Sequence, residues 1–365
     1  MTMQKPIDFD DTSDGESTDV DSVTSFPLFS PAPTEVSMTS FDVSMRSSSP
    51  ARSVLSVTSS LRRQAYIEEY GRGLNNYSEV YRLPADDDEL ERLDKQHGML
   101  QKVMGGYPPP MEQVMADNIP GEVKAVIDLG CGSGSWILDV ARDFPTCSAI
   151  GVDLVPMQVT SMPANCRSEV DDINIGLEHF YGDFNVVHAR LISSGIRDYE
   201  RLIDQMSHVL RPGGLLCLTE FDFSIYDANH QRIELTTDRI EAPYVARWFA
   251  FAKAAARRRG GDVDAANHLR RWVSSNPRFE NVVYRHWFLP TLPYHKDAFH
   301  QEIGAVMRDD VLEFMRSGRP LLLGSGMPKE QLDDLQAKVI KEIIDENLEQ
   351  YVHLEHVYAT KVTSR

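Results

Sequence analysis

The sequence predicts an α/β fold: a doubly wound, mostly parallel sheet with an antiparallel final strand and a helical cap insertion. Three observations carry this. Short apolar runs alternate with helix-periodic stretches between residues 124 and 219. A glycine-rich turn, "VIDLGCGSGSW" at 126–136, joins the first run to the first of those helices. A strand-like alternation at 351–362, "YVHLEHVYATKV", follows a long helical stretch and would let the sheet finish on an antiparallel edge.

The first segment, 1–60, reads as a disordered acidic tail. Fifteen of its 60 residues are serine, and its few apolar residues show no period, so it cannot bury enough surface to offset chain entropy. Ser30-Pro31 and Ser49-Pro50 suit proline-directed kinases, and an unmodified solvated tail is the plain alternative. Residues 61–120 read as an N-terminal cover segment and helix. Tyr66, Tyr70, Tyr77 and Tyr81 are spaced without a regular period. A helix then starts after Pro84, with Asp86, Asp87 and Asp88 at the end that favours negative charge. Leu90, Leu93, His97 and Leu100 share one face, and Gly105-Gly106 stop the helix.

Residues 121–365 read as the main domain. Strands are expected at Lys124–Leu129, Ser148–Asp153, 166–173, Asn185–Ala189 and Leu215–Thr219, with helices at Ser135–Asp143 and Tyr199–Leu210. Arg211-Pro212-Gly213-Gly214 reads as a turn. Beyond Phe223 the pattern loosens into a helical insertion at about 223–280, with helices at Ala242–Arg259 and Ala265–Ser274. A strand at Val282–Phe288 and helices at 297–316 and 328–347 come before the final strand.

Composition narrows the function. A net charge of −18 argues against a general electrostatic grip on nucleic acid, so no direct nucleic-acid partner is expected. Arg257, Arg258 and Arg259 end a predicted helix, where they compensate its dipole, with a basic targeting patch as the alternative. Cys131, Cys147, Cys166 and Cys217 form no Cys-x-x-Cys pair and read as reduced thiols of an intracellular protein. No apolar run is long enough to span a bilayer, and the N-terminus lacks the apolar core of a secretory signal. The expected location is cytoplasmic, with the nucleus left open. His295 and His300 lack metal-type spacing, so no metal is expected.

Glycine weakens strands and helices, so three at alternate positions mark backbone that must turn sharply or approach a ligand. The order strand, glycine-rich turn, helix is that of a nucleotide crevice. Asp153 ends the next strand, 23 residues after Gly130, where an acid can accept hydrogen bonds from ribose hydroxyls. A dinucleotide and S-adenosylmethionine compete for this geometry. The spacing Gly130-x-Gly132-x-Gly134 departs from the dinucleotide G-x-G-x-x-G. Asp128, two residues before the first glycine, would repel a pyrophosphate and suits a ligand with an amino group and a sulfonium.

At this point the chain resembles the Rossmann-like S-adenosylmethionine-dependent methyltransferases. "VIDLGCGSG" is similar to their first motif, "GVD" to their second, "FNVVHARL" to their fourth strand and "VLRPGGLLCLTEFD" to the turn into their fifth. Asn185 stands where aspartate is more usual. "YRLPADDDELERLDKQH", "GCGSGSW", "GVDLVPMQ", "LRPGG" and "HVYATKV" further resemble the fungal LaeA-type methyltransferases over roughly residues 66–365. That family includes regulators of secondary metabolism and enzymes that modify metabolites. The resemblance implies S-adenosyl-L-methionine as cofactor. The reading is an enzyme methylating oxygen or nitrogen of a small metabolite, and the alternative is a nuclear regulator acting through protein partners.

The resemblance also distributes roles. Gly130, Gly132 and Gly134 would wrap the methionine part, and Asp128 would orient the loop or meet the amino group through water. Asp153 would hold the ribose, Leu154 would lie against adenine, and Asp171 or Asp172 would meet the adenine amino group. His188 and Arg190, after the fourth strand, would touch cofactor or substrate or fill a structural role. Tyr81 would help close the acceptor pocket. No nucleophile–base pair is legible, so the catalytic residue stays unassigned.

Overall fold

The computed structural model describes residues 64–159, 161–345 and 348–363, all within one compact unit, Leu55–Arg365. The serine-rich segment 1–60 lies outside the described residues.

A short hairpin, β1 (Tyr66–Glu69) and β2 (Arg72–Asn75), leads into α1 (Asp87–Met104). Asp86 is the N-cap of α1: its carboxylate accepts from the Glu89 N–H. It also receives both ends of the Arg72 guanidinium at 2.7 Å, so one acid ties the hairpin to the helix. Gly105, at φ 78, ends α1 in the left-handed region that glycine enters without a Cβ penalty.

The core follows as α2 (Pro110–Met115), β3 (Ala125–Leu129), α3 (Ser135–Asp143), β4 (Ser148–Asp153), β5 (Cys166–Val170), β6 (Phe184–Arg190), α4 (Tyr199–Val209) and β7 (Leu210–Tyr226). Then come α5 (Tyr244–Arg258), α6 (Leu269–Ser275), β8 (Phe279–Pro290), α7 (Ala298–Ser317), α8 (Arg319–Gly324), α9 (Lys329–Asp345) and β9 (Tyr351–Lys361). The seven-stranded sheet has the order β5-β4-β3-β6-β7-β9-β8. Strands β5 to β7 are parallel, and β9 runs antiparallel to both neighbours. The antiparallel final strand is therefore present, but inside the sheet. The edge is β8, because β9 inserts between it and β7.

The apolar strands β3 and β6 are buried almost throughout, as parallel strands covered on both faces must be. One core cluster packs Leu129, Val187, Ile203, Leu216 and Trp272 on one side of the sheet. Another packs Val126, Trp136, Ile137, Val186 and Cys217 on the other. A third core is mainly helical: α5, α7 and α9 meet the C-terminal half of α1. Trp248 of α5 is fully buried there, and a Cβ on Gly318 would come within 2.6 Å of its ring. Of the stretch expected as a helical insertion, α5 joins this third core, whereas α6 packs into the first. The rest of the helical layer comes from residues 292–343, between β8 and β9.

Arg211–Gly214, expected as a turn, lies within β7. Its four residues have no partner in β6: Phe184 pairs with Leu210 and Val186 with Leu215, so Arg211–Gly214 turn out of the ladder, with Gly213 at φ 77, and pairing resumes at Leu215. This early start and the late end at Tyr226 make β7 17 residues long. It runs on beyond the end of β6, paired with β9 as far as Tyr226, and carries Glu220 and Asp222 against the helical layer.

Candidate functional site

The strand order reverses between β3 and β6, where connections leave to opposite sides and open a crevice at the carboxyl ends. A cleft open to solvent sits there, and the residues after β3, β4, β5 and β6 converge on it.

The β3–α3 loop forms its floor. Gly130, Gly132 and Gly134 have φ of 72°, 54° and 82°. A Cβ on Gly130 would lie 2.4 Å from Ile192 Cγ2, and one on Gly132 would lie 2.9 Å from Leu93 Cδ1. Gly130 and Gly132 line the cleft, together with Cys131 and Ser133. Gly134 differs from expectation. It is the N-cap of α3, does not line the cleft, and would press a Cβ against Met157 Sδ at 2.3 Å.

The acids follow strand register. Parallel pairing sets Asp128 beside His188, and His188 Nδ1 donates to Asp128 Oδ1 at 2.7 Å. Burial lowers the His188 pKa despite the carboxylate, leaving a neutral ring. That ring stacks on Trp136 with centroids 3.7 Å apart. Asp153 Oδ2 accepts from the Gly132 N–H at 2.9 Å, so the end of β4 pins the glycine loop. Burial raises the Asp153 pKa, opposed by this and neighbouring backbone donors. Leu154, Asp171 and Asp172 also line the cleft. Asp172 Oδ1 accepts from the Asn174 backbone at 3.0 Å and so shapes its own turn, while Asp171 pairs with His179 at 3.1 Å.

Arg190 lines the cleft from the end of β6, and burial lowers its pKa from the usual guanidinium value. Its Nη2 donates to His97 Nδ1 at 3.0 Å, which leaves His97 Nε2–H to donate to Asp139 at 2.9 Å. Burial and the Arg190 charge both lower the His97 pKa, consistent with this neutral tautomer. His97 therefore ties α1 across β6 and α3. Asp94 accepts from Ser135 Oγ at 2.5 Å and adds a second tie. Leu93 and Gln96 of α1 and Tyr81 just before it reach into the cleft. Of the four tyrosines that precede α1 among the described residues, only Tyr81 does so. Tyr70 and Tyr77 are exposed, and Tyr66 OH accepts from Gln158 at 2.8 Å.

Tyr81, Leu93, Gln96 and Leu191 separate this cleft from a second chamber between the sheet and the helical layer. Glu220, Asp222, Arg92 and Asp310 line that chamber. None was singled out from the sequence. The signal available was "LTEFD", an apolar strand that ends in two acids at its carboxyl edge.

Glu220 is buried beneath the two chambers. Its oxygens accept from the Ile192 N–H at 2.9 Å, the Ser193 N–H at 3.3 Å and the Tyr199 hydroxyl at 2.9 Å. Burial nevertheless pushes its pKa up to about 7. An unfolded glutamate loses its proton near the ordinary value of 4.5, so between these limits the folded state binds more protons. Stability must then fall as pH rises through this window. Glu220→Gln removes the titration. From pH 5 to pH 8 the variant should gain about 2–3 kcal/mol relative to wild type. Urea unfolding at both pH values reads this, and a constant difference would show that Glu220 titrates as an ordinary carboxylate.

His295, Asp297 and His300 come together at the start of α7, with potential ligand atoms all within 4.8 Å of one another. His295 and His300 were expected to lack metal-type partners. The turn into α7 supplies this proximity, with Asp297 as its N-cap. Among the described residues no helix is long and apolar enough to cross a membrane.

Residues 109–278 match the model of a family described as a methyltransferase domain. The secondary metabolism regulator laeA of Coprinopsis cinerea is 43% identical over 333 residues, covering 90% of this chain and 81% of that protein. The methyltransferase pytC of Aspergillus terreus is 29% identical, covering 72% of this chain and 76% of that protein. The methyltransferase str2 of Strobilurus tenacellus is 23% identical, covering 75% and 94%.

Proposed function

The chain belongs to the LaeA-type S-adenosylmethionine-dependent methyltransferases, and from that premise we propose that it methylates an oxygen or nitrogen of a small molecule in fungal secondary metabolism. The observation that carries this reading is the pairing of a cleft floored by the glycine loop and Asp153 with a second, mostly apolar chamber across Tyr81.

The residues of the cleft fit the cofactor. Gly130 and Gly132 line the cleft with bare backbone, and a Cβ on either would collide with Ile192 or Leu93 and displace the loop. Asp153 offers a carboxylate to the ribose hydroxyls, and Leu154 an apolar surface to adenine. Asp171 and Asp172, which line the cleft after β5, would meet the adenine amino group. Asp128 and Arg190 supply opposite charges for the amino and carboxylate groups of the methionine part. His188 holds Asp128 in place and His97 holds Arg190. Gly134 supports the loop from behind. When bound, S-adenosylmethionine supplies an electrophilic methyl group, whose bond to sulfur breaks as the bond to the acceptor forms. The protein contributes alignment and exclusion of water. Tyr81, Leu93 and Gln96 border the passage between the chambers and would keep bulk water from it.

Calorimetry tests the cofactor assignment. S-adenosylmethionine should bind with measurable heat and NAD should not, because the loop after Asp128 lacks the dinucleotide spacing. The reverse result would overturn the reading. The Coprinopsis relative, named a regulator, motivates a second reading in which the chain acts on gene expression through protein partners, in the nucleus. Metabolite profiling of a deletion strain separates the two. Loss of one methylated compound with build-up of its desmethyl precursor supports the enzyme. Loss of many unrelated compounds supports the regulator.

A further inference from the structure

We propose that the second chamber takes an aromatic acceptor carrying a neutral hydrogen-bond donor, a hydroxyl or an amine N–H, which docks on Asp222, and that it rejects carboxylic acids. The inference rests on the cleft next to it being the cofactor site.

The walls set the acceptor's bulk. Phe221, Phe223, Phe249 and Phe314 line the chamber together with Met307 and Val311. Such a lining favours a flat, apolar ring system. The charged groups set its polarity. Four charged side chains line the chamber: Arg92, Glu220, Asp222 and Asp310. Among the described residues Arg92 is the one cation lining the chamber, and its guanidinium is already paired with two carboxylates. Nε and Nη2 donate to Glu89 at 3.1 and 2.6 Å, and Nη1 donates to Asp310 at 2.7 Å. Gln96 Nε2 donates to the other Asp310 oxygen at 3.0 Å. Glu220 is satisfied by the three donors described above.

Asp222 is the exception. It is fully buried, and Oδ2 receives the Tyr226 hydroxyl and Arg232 Nη2, both at 2.6 Å. Oδ1 is buried and accepts no hydrogen bond. The Lys253 ammonium lies 3.7 Å from it, beyond hydrogen-bond reach, and is itself held by Asp264 at 2.9 Å. A buried acceptor atom without a donor is costly, and a ligand N–H or O–H that reaches it removes that cost. A ligand carboxylate brings no donor. It would meet three acids and a cation already paired with Glu89 and Asp310, so its desolvation would be poorly compensated.

Three naphthalene probes of similar size separate these cases: 2-naphthol, 2-methoxynaphthalene and 2-naphthoate. Each is titrated by calorimetry into the full chain saturated with S-adenosylhomocysteine. We expect 2-naphthol to bind about tenfold more tightly than 2-naphthoate and about fivefold more tightly than the methyl ether, which lacks the donor. Asp222→Asn should shrink the naphthol-to-naphthoate ratio at least about fivefold while leaving the affinity for S-adenosylhomocysteine unchanged. Naphthoate binding as tightly as naphthol, an unaltered ratio in Asp222→Asn, or no binding by any probe would each overturn the inference. Should Asp222→Asn fail to fold, the wild-type ranking decides. Failure of the wild-type chain to bind S-adenosylhomocysteine would instead sink the cofactor assignment.

Discussion

Gly130→Ala should weaken S-adenosylhomocysteine binding by about 30- to 5,000-fold, or cost the fold an equivalent amount of stability. Two effects add. The residue sits at φ 72, and an L side chain there costs about 1–2 kcal/mol. The new Cβ would also meet Ile192 Cγ2 at 2.4 Å, within a packed core where overpacking costs about 1–3 kcal/mol. Ile192 cannot retreat freely. It follows β6 directly, its N–H is held by Glu220 at 2.9 Å, and its side chain belongs to the main core cluster. The loop must therefore move, and the loop is what the cofactor would lie against. Gly182→Ala is the internal control. It carries a similar φ of 76° but meets nothing within 4 Å, so it should show the backbone cost alone and an ordinary cofactor affinity. Calorimetry and thermal unfolding read both quantities. A Gly130→Ala protein with wild-type affinity and melting temperature would show that the loop yields at no cost.

The parts of the fold that were legible in the sequence are those set by local pattern. The helix Ser135–Asp143 and the strand Ser148–Asp153 were expected with the boundaries they have, because a glycine turn and a change of apolar period mark both. The misreadings are non-local. The length of β7 depends on distant partners, since Leu210, ahead of the Arg211–Gly214 turn, pairs with Phe184 and Tyr226 pairs with Tyr351. The place of β9 inside the sheet depends on which edge β8 leaves open. The helical layer was half seen, since its contacts join α1 and α5 to α7 and α9 across the whole chain. The same division runs through the candidate site. Asp128, Asp153, Asp172, His188 and Arg190 end or follow strands whose order places them at one edge, so reading strands was enough to gather them. Arg92 and Asp310 meet across 218 residues, and His97 reaches Arg190 across 93. No spacing rule connects them. Gly134 was grouped with its two neighbours by spacing, yet the helix it caps takes it away from the cleft.

Asp153→Ala should weaken S-adenosylhomocysteine binding by about 1–3 kcal/mol, roughly 5- to 150-fold. The proposed ribose contact is a charge-assisted hydrogen bond from a carboxylate in a buried setting, which is stronger than a neutral pair. Its removal acts twice. The ribose hydroxyls lose their acceptor, and the Gly132 N–H loses the Oδ2 that holds it at 2.9 Å, freeing the glycine loop. Stability should change less than affinity. Burial disfavours the ionised form of Asp153, so deleting the side chain removes that cost along with its hydrogen bonds. Asp153→Asn separates the two contributions. The amide keeps an oxygen for Gly132 and loses the charge, so its affinity should fall between wild type and Asp153→Ala. Calorimetry on the three proteins, with circular dichroism melts to confirm folding, gives the ranking. If folded Asp153→Ala binds S-adenosylhomocysteine as wild type does, the acid at the end of β4 serves the loop alone and the ribose is held elsewhere.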